Sequence, residues 1–201
     1  MISLQKGQKI SLTKESSGLT NVLVGLGWDE VQKPAKKMFS LFSKKPESFD
    51  LDASVFLLHS GDKLTNSKDV VYFNNKTHFS GAVVHLGDNL TGVGDGDDEQ
   101  ITVDLKSLPE EYQKLVFIVT IFKAKERNQN FGMIDNAFIR IVDSSTNKEL
   151  CRYSMSNDIN YGDKTAMIFG ELYRNNGEWK FSAVGNGLNT GTISEVTNIY
   201  K

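Results

Sequence analysis

The chain has 201 residues, 39% hydrophobic and 24% charged, with a formal net charge of −2. This composition supports a packed core, excludes a chain disordered throughout, and supplies no global basic field to recruit nucleic acid. The longest apolar runs, such as Leu115–Ile121, fall far short of the roughly 20 residues of a membrane-spanning helix. Residues 1–30 lack the apolar segment and small-residue cleavage site of a secretory signal, and the lone cysteine, Cys151, fits a reducing cytoplasm. The expectation is one intracellular domain over 1–201.

In chain order, short β-type runs recur, each closed by Gly, Asn, Asp or Ser. Lys9–Thr13 alternates, with Ile10 and Leu12 on one face, whereas Asn21–Trp28 is apolar enough for a buried central strand. Ser54–Leu58, Val70–Phe73, Ala82–Leu86 and Gln100–Leu105 follow. Leu115–Phe122, β-branched and aromatic almost throughout, is the strongest strand signal in the chain. Ala137–Val142, Glu149–Met155, Thr165–Tyr173 and Trp179–Val184 complete the series, with an Asn-Gly hairpin signal at Asn176-Gly177. Helix is confined to a capped turn at Ser107–Glu111, a turn within Lys123–Gln129 and a weak terminal helix over Ile193–Tyr200. Many short strands with little helix between them predict an all-β antiparallel sandwich of two packed sheets.

One stretch breaks this composition. Lys33–Pro46 holds five lysines and no acid, and reads as a loop insertion at about 31–48. Met38, Phe39, Leu41 and Phe42 between its lysine pairs could touch an anionic membrane surface, or could fold back on the sheet.

The chemistry concentrates in the acidic, glycine-rich segment 87–99. It packs Asp88, Asp95, Asp97, Asp98 and Glu99 together with four glycines, and no Lys or Arg occurs from 77 to 105. Two carboxylates about 5 Å apart repel by roughly 3 kcal/mol at an effective dielectric of 20. Such a cluster therefore spreads into solvent or takes a cation. Glycines let backbone carbonyls turn inward, and Ca²⁺ accepts six to eight hard oxygens of the kind that Asp88, Asn89, Asp95, Asp97, Asp98 and Glu99 supply. Mg²⁺ demands a smaller octahedral shell, and no thiolate is near. Asp50 and Asp52, at i and i+2 around Leu51, would present both carboxylates on one face. Seven carboxylates in all point to two neighbouring Ca²⁺ ions, whose charge would offset four of the seven. The EF-hand pattern is absent, since its third position would be Leu90 from Asp88 and its glycine position Gln100 from Asp95.

Catalytic signals are thin. His59, His78 and His85 are scattered, with no nucleophile elbow and no Walker motif. The glycines at 92, 94 and 96 make no dinucleotide fingerprint beside Asp95 and Asp97. A redox enzyme acting on a metalloid would call for paired thiols.

These residues resemble a known family. Gly25-Leu26-Gly27-Trp28-Asp29, Phe49–Ser54 and the 87–99 segment are similar to the TerD family of tellurite-resistance and stress-response proteins. Asn128–Gly132, Asn136–Arg140 and Phe169–Phe181 resemble it further on, in the same order. The resemblance implies a β-sandwich binding two calcium ions, largely through Asp50, Asp52 and the 88–99 segment. It also implies a cytoplasmic bacterial protein of tellurite, phage or general stress resistance, partnered by other Ter proteins and a membrane-embedded TerC-type protein. Lys33–Pro46 departs from the family's short connection, and Gly191–Lys201 lacks its alanine-rich helix. The expected function is a non-catalytic, Ca²⁺-dependent assembly or sensing module. The alternative is a Ca²⁺-dependent lipid-surface module using Lys33–Lys45.

Overall fold

Strand alternation builds the core. In the strand Glu99–Asp104, residues 99, 101 and 103 are buried while 100, 102 and 104 are half-exposed. The computed structural model describes residues 1–30, 49–88, 96–155 and 161–201. Among these the strands are β1 (Ile2–Leu4), β2 (Lys9–Ser11), β3 (Asn21–Glu30), β4 (Leu51–Leu58), β5 (Val70–Val71) and β6 (Val83–Asp88). After them come β7 (Glu99–Asp104), β8 (Lys114–Ile121), β9 (Ile134–Asp143), β10 (Lys148–Ser154), β11 (Ala166–Asn175) and β12 (Glu178–Leu188). One six-stranded sheet runs β1-β10-β9-β3-β7-β6 and the other β2-β12-β11-β8-β4-β5.

The inner faces of both sheets meet in one core. Val22, Val24 and Leu26 of β3 and Ile101 and Val103 of β7 pack there with Leu51, Ala53 and Val55 of β4 and Phe117 of β8. A second apolar cluster lies on the outer face of the β4–β8–β11 sheet, where Phe56, Val116 and Ile168 are covered by Val196 and Tyr200. The short helix α3 (Ile193–Thr197) and a 3-10 turn through Tyr200 supply that cover, and Thr192 caps the helix by accepting from Glu195 N. The alternation of β4 therefore has apolar residues on both sides, as in a strand covered on each face.

The antiparallel sandwich expected from the sequence is the observed architecture, with one parallel pairing, β1 against β10. Asn176 and Gly177 turn the β11–β12 hairpin with φ of 53° and 76°, the left-handed pair that an Asn-Gly turn requires. Two expectations are corrected. Residues 9–13 do not form one strand, because Ser11 accepts from Lys14 N and caps a helical turn, α1 (Leu12–Glu15). Ser107 caps no helix; it donates its own N–H and hydroxyl to Asp104, whose carboxylate organises a plain turn. The lysine-rich insertion lies outside the described residues.

Cys151 sits in β10 between Ile2 and Ile141 and is fully buried. Burial pushes its thiol up to about 12, with the Glu149 and Glu15 charges adding. A thiol-specific reagent at pH 8 should leave Cys151 unmodified in the folded protein and label it rapidly in urea. Fast labelling of the native state would contradict this burial.

Candidate functional site: the acidic end of the sandwich

Strand register brings the acidic segments to one end. Leu26 of β3 pairs with Glu99 at the start of β7, Asp29 with Asp135 near the start of β9, and Leu51 with Ile121 at the end of β8. Asp88 closes β6 opposite Glu99. Asp29, Asp50, Asp52, Asp88, Asp97, Asp98, Glu99 and Asp135 thus belong to the same rim. Asn89 and Asp95 lie outside the described residues.

Three consecutive acids at the entry to β7 have different environments. Asp97 is 3% exposed and lies where Gly25 has no side chain; a Cβ there would stand 2.3 Å from its carboxyl carbon. Gly25 pairs with Gln100 on one side and Arg140 on the other. Both neighbours hold the carboxylate. Arg140 donates from Nε to Oδ1 at 2.6 Å and from Nη2 to Oδ2 at 2.8 Å, and Gln100 Nε2 donates to Oδ2 at 2.9 Å. Arg140 also donates from Nη1 to Glu149, which accepts from Arg152. The hydrogen bond to Asp97 leads in driving the Arg140 guanidinium pKa upward, so its charge is permanent.

Glu99 points the other way, into the space between the sheets. Its Oε2 accepts from Ala53 N of β4 at 2.9 Å, and His85 Nε2 stands 2.9 Å from the same oxygen. Gly87 N donates to His85 Nδ1, which therefore accepts and leaves the proton on Nε2 to be donated to Glu99. A neutral imidazole satisfies both contacts.

Asp98 lies between these two. Its Oδ2 accepts from Trp28 N at 2.7 Å. Burial pushes the carboxyl up, against the Trp28 N–H, and the charges of Asp29 and Asp97 add to the rise. Asp29 is exposed and accepts from Asn136 Nδ2 at 2.8 Å. Across the sandwich Asp50 is exposed and its carbonyl accepts from Phe122 N, while Asp52 is half-buried opposite Thr120. Leu51 between them enters the core.

Sequence proximity misled in one respect. The absence of Lys and Arg from 77–105 suggested carboxylates without a cation, yet Arg140 reaches Asp97 from β9 and His85 donates to Glu99. No local signal announces a partner 43 positions away. Asp29 was not among the expected ligands, although it follows directly on the Gly-x-Gly-Trp run whose Trp28 N–H holds Asp98. Among the described residues no three His, Cys, Asp or Glu side chains stand together as a metal cage. The donors that do meet here are hard carboxylate oxygens, with the one nearby imidazole already engaged, and that chemistry suits a hard cation.

The histidines are less scattered than their spacing suggests. His78 Nε2 approaches Asp69 Oδ1 at 3.3 Å, Tyr112 OH donates to the same oxygen at 2.9 Å, and His59 Nε2 stands 3.7 Å from Oδ2. This network fastens the 59–82 connection beneath Tyr112 and lies apart from the segments of the acidic end.

A β-sandwich with an acidic rim after a Gly-x-Gly-Trp-Asp strand defines the class of protein. The TerD domain model matches residues 1–200, and the chain belongs to the TerD family. It is 48% identical to general stress protein 16U of Bacillus subtilis (strain 168), with 98% of this chain and 96% of the relative covered. It is 46% identical to tellurium resistance protein TerD of Serratia marcescens, covering 96% and 94%. Those names describe tellurium resistance and general stress response and no catalytic activity. The solved structure of a TerD homologue from Streptomyces coelicolor A3(2) superposes with a TM-score of 0.64 at 22% identity, over 92% of this chain and 99% of that one. At that identity the likeness speaks for the fold. Among the described residues no helix is long and apolar enough to cross a membrane.

Arg140→Ala leaves a buried carboxylate without its cation. Urea unfolding should show a loss of about 3–5 kcal/mol, with Arg140→Lys recovering only part because an ammonium cannot serve both oxygens in plane. A loss no larger than the roughly 1 kcal/mol of an exposed ion pair would remove this pair from its structural role.

Proposed function

We propose that this protein is a non-catalytic Ca²⁺-binding module of the stress response. Its acidic end would take two ions and then present a surface to an assembly or sensing partner. The observation that carries the reading is the environment of Asp98: a partly buried carboxylate facing the charges of Asp29 and Asp97 and, among the described residues, accepting from the backbone N–H of Trp28. Negative charge is in surplus there, and a hard dication is the ligand that would offset it.

The acids then divide by task. Asp97 and Glu99 are already hydrogen-bonded by Arg140 and His85 and fix the entry to β7. Asp29, Asp50, Asp52 and Asp98 would face the ions, joined by Asp88, Asn89 and Asp95 of the same loop. Bound Ca²⁺ would supply charge neutralisation and would tie that loop to the start of β4. Binding at a sensor-like Kd of about 10⁻⁷–10⁻⁵ M contributes roughly 7–9.5 kcal/mol per ion, enough to order a glycine-rich loop. The partner would be another Ter protein or a TerC-type membrane protein. The buried thiol of Cys151 and the engaged imidazole of His85 support a role without catalysis.

Calorimetry on metal-stripped protein tests this. Calcium should give saturable heat for two ions, and Asp98→Asn or Asp50→Asn should weaken binding about tenfold or more. No heat above a Mg²⁺ control would sink the reading. Substituting Asp97 should instead lower stability first, because its oxygens are committed to Arg140 and Gln100.

A further inference from the structure

We propose that a cleft between α3 and the 64–72 connection is a binding site for a small amphipathic anion, an apolar chain that ends in a carboxylate. Its volume is about 540 Å³, within the range of sites that take a small organic ligand. None of its lining residues belongs to the acidic end, so the proposal does not rest on the calcium reading.

The topology leaves this space open. β5 is a two-residue edge strand that pairs with Val55 and Phe56 of β4. α3 spans five residues, and its Val196, with Tyr200, covers Phe56, Val116 and Ile168 nearer the middle of the sheet. Leu64 N donates to Tyr200 O at 2.7 Å and fastens the connection to the end of the helical segment. The cleft lies between the two segments so joined. Its floor is apolar: Leu64 and Val70 are buried, and Tyr72 and Ile193 pack half-buried against the same cluster.

The polar lining selects for charge. Among the described residues that line the cleft, Lys201 is the one charged side chain; it is exposed, and its Nζ donates to Asn198 Oδ1 at 2.7 Å. Asn66, Ser67 and Ser194 add neutral groups. Asn66 Oδ1 already accepts from Lys68 N at 3.0 Å, which leaves its amide NH₂ to donate. The acids of the neighbourhood are engaged elsewhere. Glu195 accepts from Gly191 N and lies beside Lys125 of α2 (Ala124–Arg127), Asp62 pairs with Lys114, and Asp69 is buried and accepts from Tyr112. Lys63 Nζ donates to Lys201 O at 3.0 Å, matching the last backbone group. One ammonium with neutral donors suits a single negative charge, whereas a ligand ammonium would meet no carboxylate in the lining.

Both walls are fixed before a ligand arrives. Thr192 caps α3, Tyr200 meets Phe56 edge-on at 5.9 Å, and Asn75 Nδ2 donates to Val70 O at 2.7 Å. Binding would therefore cost little ordering.

Amide chemical shifts of the full chain, titrated with octanoate, octanol and octylammonium, test the proposal. Saturable shifts are expected at 64–72 and 193–201, with octanol weaker than octanoate and octylammonium weaker by about tenfold or more. Lys201→Gln should weaken octanoate about threefold and leave octanol unchanged. Ile193→Ser should weaken both about fivefold, and Thr197→Trp, which fills the cleft, should abolish both. Parent-like shifts outside these segments show that a variant is folded, and Ile193→Ser carries the test if the filled variant is not. Shifts that fail to saturate or spread over the whole surface would overturn the proposal. So would octylammonium binding as tightly as octanoate, or folded variants that bind like the parent. Shifts at the same amides that follow protein concentration without octanoate would give the cleft to a second copy of the chain and overturn it too.

Discussion

A buried carboxylate on the bare face of a strand glycine is the constraint on which the acidic end depends. Asp97 can lie against β3 only because Gly25 has no Cβ, and it tolerates burial only because Gln100 and Arg140 flank that glycine in the neighbouring strands. Gly27, two residues on, leaves the same kind of room for the Phe138 ring. Phe138 in turn lies under Arg152, whose guanidinium carbon is 4.3 Å from the ring centroid. The outer face of this sheet is thus a run of alternating charges from Asp97 through Arg140 and Glu149 to Arg152. Each carboxylate in it is matched by a planar cation, and that pairing fixes where the chain enters β7.

Glu99 imposes the complementary constraint between the sheets. A carboxylate that takes the backbone N–H of Ala53 and the N–H of His85 ties β7 and β6 of one sheet to β4 of the other. Among the apolar side chains that face it between the sheets, an unpaired carboxylate would be costly, so both donors are needed. The contact brings the β4 acids and the β7 acids to one rim. Gly87 N donates to His85 Nδ1, so the end of β6 joins the same network.

Much of this was legible in the sequence. The Leu115–Phe122 run and the Asn176-Gly177 turn carry their structure locally, through β-branched packing and a left-handed hairpin, and both stand as read. The acidic segments could be recognised as exceptional because no cation lies near them in the chain. Their fates could not be separated, since the distinction depends on non-local register. Whether a carboxylate meets Arg140, a backbone N–H or another carboxylate follows from which strands are neighbours, and β9 joins β3 only in the folded sheet. The turn at Asp104 was misassigned for a different reason: serine and aspartate both cap, and Asp104 reached three donors first.

The division of the acids bears on how a cation could act here. Carboxylates already matched by Arg140 and His85 gain little from a dication, because a hydrogen-bonded partner has discharged most of their field. Asp98 and Asp29 differ, since among the described residues their hydrogen-bond donors are neutral, the Trp28 N–H and the Asn136 amide, and the two carboxylates face each other's charge. Burial pushes the Asp98 carboxyl up, and the neighbouring negative charges add to the rise, so its ionised form is disfavoured where it stands. The scaffold therefore holds its rim in an electrostatically unfavourable state, with the matched pairs behind it providing the rigidity to keep it there. An exposed acidic tail would relax by spreading into water, whereas the entry to β7 is fastened at Gly25 and Ala53 and has no such freedom.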